Sequence, residues 1–364
     1  MDSGKRSMEK MVKNKDILDL SFFNGKKVFL TGHTGFKGSW LSVFLLKLGA
    51  QVIGYSTCSK TETRLFGLCS LEDDITHIKG DVRDLNHLVS SLKEHQPDIV
   101  IHMAAQPIVR ESYSDPVGTY ATNVMGTVNI CEAVRQTPSV KSFLNVTTDK
   151  VYDNKEWEWG YREIDPLDGY DPYSNSKSCS ELVTHSYKKS FLEKQVAVST
   201  ARAGNVIGGG DFAVDRIIPD CIRSALKHDD IIVRNPFSSR PYQHVLEPLY
   251  AYLLIVQKQF INPSYASWYN VGPNDADCWK TGDLVDLFIK HWGNDIKRVD
   301  KCVDGPHEAN FLKLDCSKLK TAFGWSPRWD LETAVIKVVE WTKAWTGGED
   351  VRQVMVKQID EFLE

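Results

Sequence analysis

Lys27-Val28-Phe29-Leu30-Thr31-Gly32-His33-Thr34-Gly35-Phe36-Lys37-Gly38-Ser39-Trp40 is the stretch that decides the fold. A short apolar strand, 27–30, is ended by Thr31-Gly32. Glycines at 32, 35 and 38 then open an apolar run, Trp40 to Leu48, read as a mostly buried helix stopped by Gly49. Glycines at this spacing permit a tight turn and close backbone approach to a pyrophosphate, and the helix start adds free N–H groups and a favourable dipole. A ligand-free turn would use the same glycines; the place of this one directly after the first strand favours a dinucleotide site. Gly32, Thr34, Gly35, Phe36 and Gly38 are the candidate cofactor contacts.

Outward from this loop, strands are expected at 51–55, 76–81, 98–103, 142–148 and 196–202, with helices at 117–136 and 173–193. Alternating strands and helices predict an α/β fold, a Rossmann-type doubly wound parallel sheet covered on both faces. Past Gly204 the pattern changes to glycine- and proline-rich loops with frequent Trp and Tyr. The expected organisation is an N-terminal extension (1–24), a dinucleotide-binding domain (25–204, with 245–270 returning to it), a smaller C-terminal substrate-binding region (205–244 and 271–350) and a C-terminal tail (351–364).

Lys and Arg total 44 against 48 Asp and Glu, so no basic excess points to nucleic acid or to an anionic membrane surface. An anionic ligand must be caught by a local cluster of donors. No apolar run is long enough to span a bilayer, and residues 1–24 lack the apolar block of a signal peptide. The eight cysteines form no Cys-x-x-Cys pair, so reduced thiols in a cytoplasmic protein are expected and no metal site.

The second strand ends Tyr55-Ser56-Thr57-Cys58-Ser59-Lys60, without the acid that would hold ribose hydroxyls. Lys60 or Arg64 would suit a 2′-phosphate, which leaves NAD and NADP both open on the residues alone. Asp81-Val82 and Ala104-Ala105 close strands where ligands of doubly wound sheets bind. Asp81 is a candidate acceptor for an adenine amino group, or a cap for the helix that follows.

Tyr173 and Lys177 stand one helical turn apart. A tyrosine is a poor base near neutral pH, with a reference pKa of about 10, until a neighbouring ammonium and an oxidised nicotinamide favour its phenolate. Lys177 is also placed to hold the nicotinamide ribose, and Asn123 and Thr148 complete the set. Asp149 and Lys150 exceed the needs of a simple dehydrogenase and suggest a proton-driven elimination, Asp149 as general acid and Lys150 as base. A surface ion pair is the plainer alternative for these two. In the second region Arg216, Arg234 and Arg240, with aromatics and His307, suit a diphosphate. Asn205 and Asp211 are candidates for sugar hydroxyls, and Gln106 and Arg110 join the substrate set.

The motifs TGHTGFKGSW (31–40), HMAAQPIVR (102–110), NVMGT (123–127), TTDKVYDN (147–154), GYDPYSNSK (169–177), RAGNVIGGGD (202–211) and HEANFLKLDCSK (307–318) together are specific. From about Gly25 to the vicinity of Asp350 the chain resembles the CDP-glucose 4,6-dehydratases, extended short-chain dehydrogenase/reductases acting on nucleotide sugars. The Asp149-Lys150 pair marks that branch, since dTDP-glucose and GDP-mannose relatives usually carry Asp-Glu. The resemblance implies NAD as a bound catalyst, CDP-glucose as substrate, a homodimer, and a product that leads to deoxysugars of surface polysaccharides such as lipopolysaccharide O-antigen. It leaves two rivals: a dehydratase or epimerase for another nucleotide sugar, and a non-catalytic dinucleotide sensor. The loop around Thr61 to Phe66 lacks the prolines common in relatives, and the charged N-terminus lies outside the resemblance.

Overall fold

The computed structural model describes residues 17–57, 65–293, 296–301 and 311–364. Alternation along the first strand, β1 (Lys27–Thr31), sets the layers: Val28 and Leu30 face one core, and Phe29 faces another. The strands that follow are β2 (Gln51–Ser56), β3 (Thr76–Lys79), β4 (Ile99–His102), β5 (Ser142–Val146), β6 (Ala197–Ala203) and β7 (Trp268–Val271). They form one parallel sheet in the order β3-β2-β1-β4-β5-β6-β7. Strand order reverses between β1 and β4, and the crevice at their C-terminal ends is where such sheets take ligands.

Helices α1 (Phe36–Lys47), α2 (Leu85–His95), α3 (Gly126–Arg135), α4 (Pro172–Tyr187), α5 (Ile217–Lys227), α6 (Leu246–Ile261), α7 (Thr281–Trp292), α8 (Leu331–Thr346) and α9 (Val351–Leu363) pack around this frame. On the Val28 face lie Trp40 and Phe44 of α1, Leu249 and Leu253 of α6, and Met355 and Ile359 of α9. On the Phe29 face lie Leu88 and Leu92 of α2 and Ile130 and Val134 of α3. A separate core forms the second lobe, from Ile218 and Ile222 of α5, Leu284 and Phe288 of α7, and Val335 and Val338 of α8.

Four features differ from the sequence reading. Residues 351–364 are a docked helix rather than a tail, because Val351, Met355, Ile359 and Phe362 recur at helical spacing and are buried. Residues 17–24 also join the molecule: Leu18 and Phe23 are buried, and Gln257 of α6 bonds both backbone groups of Asp19, at 3.0 and 2.7 Å. The unbroken helix expected at 117–136 is Pro116–Tyr120, a π-turn Ala121–Met125 and then α3. β7 adds to the sheet after α6, at residues that straddle the expected boundary at 270.

Candidate active site

Gly32 has φ +75°, and a Cβ there would sit 2.9 Å from the Ala104 backbone, so the loop lies against the end of β4. A Cβ on Gly38 would come within 2.2 Å of the Gly32 carbonyl oxygen. Gly35 differs: among the described residues its Cβ would meet only that carbonyl, at 3.4 Å. The protein therefore does not itself demand a glycine at 35, whereas a ligand approaching the backbone would. Gly35 caps α1 without any side-chain bond, which leaves the first amides of the helix for an anion. Gly35→Ala is expected to cost the fold about 1 kcal/mol or less, while weakening dinucleotide binding ~10-fold or more. Cofactor titration beside thermal melting checks this; unchanged affinity would remove Gly35 from the contact set.

Beneath the loop, Thr31 Oγ1 accepts from the amides of Met103 and Ala104, at 3.1 Å each, and bonds His102 Nδ1 at 2.8 Å. Burial pushes His102 down to about 3, which keeps it neutral. Thr34 bonds Ser56 at 2.8 Å, so the end of β2 is held by hydroxyls where an acid would otherwise stand. Lys60 and Arg64, the residues weighed for a 2′-phosphate, lie outside the described residues. Asp81 does not cap the next helix; Asp84 does, accepting from the His87 amide at 3.0 Å. The Asp81 carboxylate is gripped by Arg83 through two nitrogens, the closer at 2.6 Å, which lowers its pKa. Val82 is buried, with its carbonyl accepting from Asn129 at 2.8 Å. Ala104 and Ala105 are part-exposed at the end of β4.

The π-turn carries Asn123 inward, where its amide nitrogen donates to the Gln106 carbonyl (3.1 Å) and to Ser176 on α4 (2.9 Å). Its oxygen accepts from the Gln106 amide at 2.9 Å. The Gln106 side chain, read as a substrate contact, bonds Ile108 and Thr119 instead. These bonds hold the 104–109 loop.

After β5 the chain leaves the strand in a 3-10 turn, Asp149–Val151, capped by Thr148. Asp149 is 1% exposed. Its Oδ1 accepts from Thr148 Oγ1 at 3.0 Å, and its Oδ2 has no partner among the described residues. Burial raises its pKa, against the charges of Lys150, Arg240 and Lys37 and the Thr148 hydrogen bond. Gly204 keeps the free oxygen clear, since a Cβ there would lie 3.3 Å from Oδ2. This is a buried, protonatable acid rather than a surface ion pair. Thr148 also acts on the Tyr173 phenol, favouring its charged form.

Tyr173 and Lys177 are both buried on one face of α4. Burial is the largest influence on the Tyr173 phenol and pushes it up to about 12. Lys177 donates to the Val146 carbonyl at 3.1 Å and is itself lowered to about 8 by burial and by Lys37. The low-dielectric pocket disfavours the phenolate.

In the second lobe the arginines are paired. Arg216 meets Asp211 at 2.9 Å; Arg234 meets Asp215 at 3.0 Å and Asp220 at 3.5 Å; Arg110 meets Asp215 at 3.6 Å. Asp211, read as a contact for sugar hydroxyls, is thus the partner of Arg216. Arg240 is buried and bears electrostatically on Asp149. The Asn205 carbonyl accepts from the Gln243 amide at 3.0 Å. His307 lies outside the described residues.

Lys37 was missed. It stands in the first turn of α1, lowered to about 8 by burial and by Arg216, while Asp149 and Asp211 act to raise it. The glycine loop thus sends a cation from the dinucleotide side toward the acid at 149. The only signal in the sequence was a lysine inside an otherwise uncharged turn.

The family model described as GDP-mannose 4,6 dehydratase matches residues 29–338. A CDP-glucose 4,6-dehydratase of Salmonella typhimurium is 46% identical over 354 residues, covering 95% of this chain and 99% of that protein. Among solved structures, a Bacillus anthracis dTDP-glucose 4,6-dehydratase in complex with NAD aligns with a TM-score of 0.74 at 22% identity, over 91% of this chain and all of that one. A UDP-glucose 4-epimerase of Thermotoga maritima with UDP-glucose aligns at 0.77 and 20% identity, over 88% of this chain and 99% of that one. Those two likenesses are of fold.

Proposed function

Because the chain belongs to the GDP-mannose 4,6 dehydratase family, whose model spans most of it, we propose that it is an NAD-dependent CDP-glucose 4,6-dehydratase, a hydro-lyase that converts CDP-D-glucose to CDP-4-dehydro-6-deoxy-D-glucose and water. One observation carries this reading beyond the family: Asp149 is buried, accepts from Thr148, and has a second oxygen without a partner among the described residues. A plain 4-epimerase needs the tyrosine, lysine and hydroxyl but no acid and amine beside them.

The glycine cradle, with Gly35 open and the first amides of α1 uncapped by any side chain, fits a dinucleotide. Gly32, Thr34, Gly35, Phe36 and Gly38 would hold its pyrophosphate side. Asp81, Val82, Ala104, Ala105, Asn123, Tyr173 and Lys177 would line the remainder. When bound, NAD accepts hydride from C4 and returns it to C6, and so emerges unchanged. Tyr173 takes the proton of the C4 hydroxyl while Thr148 hydrogen-bonds the C4 oxygen. The new ketone acidifies C5, from which Lys150 removes a proton. Asp149 gives its proton to the departing C6 oxygen, which leaves as water, and Lys150 returns a proton to C5 at the last step. Arg110, Arg216, Arg234 and Arg240 meet the diphosphate, which displaces Asp211 and Asp215 from their guanidinium partners.

The exposed Val117 and Met125 before α3, and Leu182 on α4, offer an apolar face for a homodimer. Six free cysteines among the described residues agree with a cytoplasmic enzyme making precursors of deoxysugars for surface polysaccharides such as O-antigen. The test is turnover with added NAD on CDP-, dTDP-, UDP- and GDP-linked glucose and GDP-mannose, read as loss of water by mass spectrometry. Product from CDP-glucose alone establishes the reading. Product from another donor keeps the mechanism and removes the cytosine assignment. A cofactor-loaded protein with no turnover on any donor would favour a sensor.

A further inference from the structure

Three side chains of α4 stand at successive turns on one face: Tyr173, Lys177 and Glu181. The first two belong to the proposed chemistry. The third is fully buried and touches none of the reacting groups. Its Oε1 accepts from Thr147. Its Oε2 accepts from Thr200 (2.7 Å), from Arg202 Nη2 (2.9 Å) and from His185 (3.2 Å). Arg202, on β6, is as buried as its partner. Its other terminal nitrogen donates to the Tyr152 hydroxyl at 2.9 Å and to the Glu163 carbonyl at 3.2 Å. The Tyr152 hydroxyl in turn donates to Asn270 on β7 at 2.6 Å.

Thr147 immediately precedes Thr148-Asp149-Lys150-Val151, and Tyr152 immediately follows it. One ion pair therefore grips the catalytic turn at both ends. Ser178 of α4 adds a third tie, donating to the Val151 carbonyl at 2.8 Å.

A buried ion pair is an inefficient source of stability, because the desolvation of two charges offsets much of their attraction. Its advantage is geometry: charged partners in a rigid fork tolerate little displacement. The dehydratase reaction has need of that. Oxidation at C4 is served chiefly by Tyr173 and Lys177, which α4 carries itself, with Thr148 reaching the C4 oxygen from the start of the turn. Elimination is served by Asp149 and Lys150, which sit on a short turn belonging to another element. A misplacement of about 1 Å can cost roughly 100-fold in a proximity-dependent step.

We propose that Glu181 and Arg202 are positioning residues that register the 148–151 turn against the Tyr173–Lys177 face of α4, so that loosening them uncouples elimination from oxidation. This rests on the dehydratase reading above. Glu181→Gln strands a buried guanidinium and can fail to fold, so Thr147→Val is the primary variant: it keeps the ion pair and the Arg202–Tyr152 link and cuts the tie at the near end of the turn, together with the longer Thr147 bond to the Ala201 carbonyl (3.4 Å). Thr147→Ser, which restores the hydroxyl, is the rescue.

The readout is a quench of single turnovers with borodeuteride, which separates trapped 4-ketohexose that has kept its C6 oxygen from dehydrated product. Wild type and Thr147→Ser should yield almost wholly dehydrated product. Thr147→Val should raise the undehydrated fraction ~10-fold, and hydrogen exchange in the unliganded protein should quicken in the peptide spanning 147–152 and not along α4. Equal slowing of both steps, or dehydration as complete as in wild type, overturns the clamp. A wild-type protein that neither oxidises nor dehydrates any nucleotide hexose overturns the functional reading and the clamp with it.

Discussion

Tyr173→Phe is expected to lower turnover by roughly 10²–10⁴-fold, the range over which a positioned acid–base group acts, and to leave no oxidised sugar to trap. The ring is buried, so phenylalanine keeps the packing and loses only the hydroxyl. The cost to the fold should be about 1 kcal/mol, with cofactor binding little changed. Because burial holds the phenol up to about 12, the protein alone does not supply a base at neutral pH. The positive nicotinamide of bound NAD must contribute the remainder. The Tyr173 phenol should therefore titrate at lower pH in the NAD-loaded protein than in the cofactor-free one, as ultraviolet difference titration against Tyr173→Phe checks. A Tyr173→Phe enzyme that still forms ketone at about a tenth of the normal rate, far above that range, would assign the C4 proton to another group.

The sequence made the frame legible because its signals are local. The strand, three glycines and helix of 27–47 lie in one window, and so do Asp149 with Lys150 and Tyr173 with Lys177. What it hid depends on partners far apart along the chain. Glu181 and Arg202 are unremarkable alone, and Lys37 gains meaning only when Asp149 and Arg216 stand near it. Arg216 and Arg234 read as free cations because Asp211, Asp215 and Asp220 carry no mark of pairing. Gln106 looked available because a hydrogen bond to its own loop leaves no trace in residue type. The helix at 351–363 was missed for a different reason. Its apolar spacing was readable, but charged residues between the apolar positions gave it the look of a tail.

Asp149→Asn should separate the two halves of the reaction. The amide is nearly isosteric with the acid and can still accept from Thr148, but it has no proton to give to the C6 oxygen. Oxidation at C4 should continue, undehydrated ketohexose should accumulate, and dehydration should slow by about 10²–10⁴-fold. Burial is the largest influence on Asp149 and raises its pKa, so the acid form that elimination needs is lost as pH rises through that raised value. Wild-type dehydration should fall on the alkaline side, and the variant's residual rate should lack that limb. The same shift has a sign for stability. A carboxyl with a folded pKa above its unfolded one binds the proton more tightly when folded, so its contribution is full at low pH and diminishes as pH rises through the folded value. An uncharged amide at position 149 carries no such penalty, and the variant should melt no lower than wild type near neutral pH. Loss of dehydration together with equal or greater thermal stability would mark Asp149 as an acid kept buried for the chemistry at some expense to the fold. Retained dehydration, or a loss that tracks a fall in melting temperature, would return this residue to a structural role.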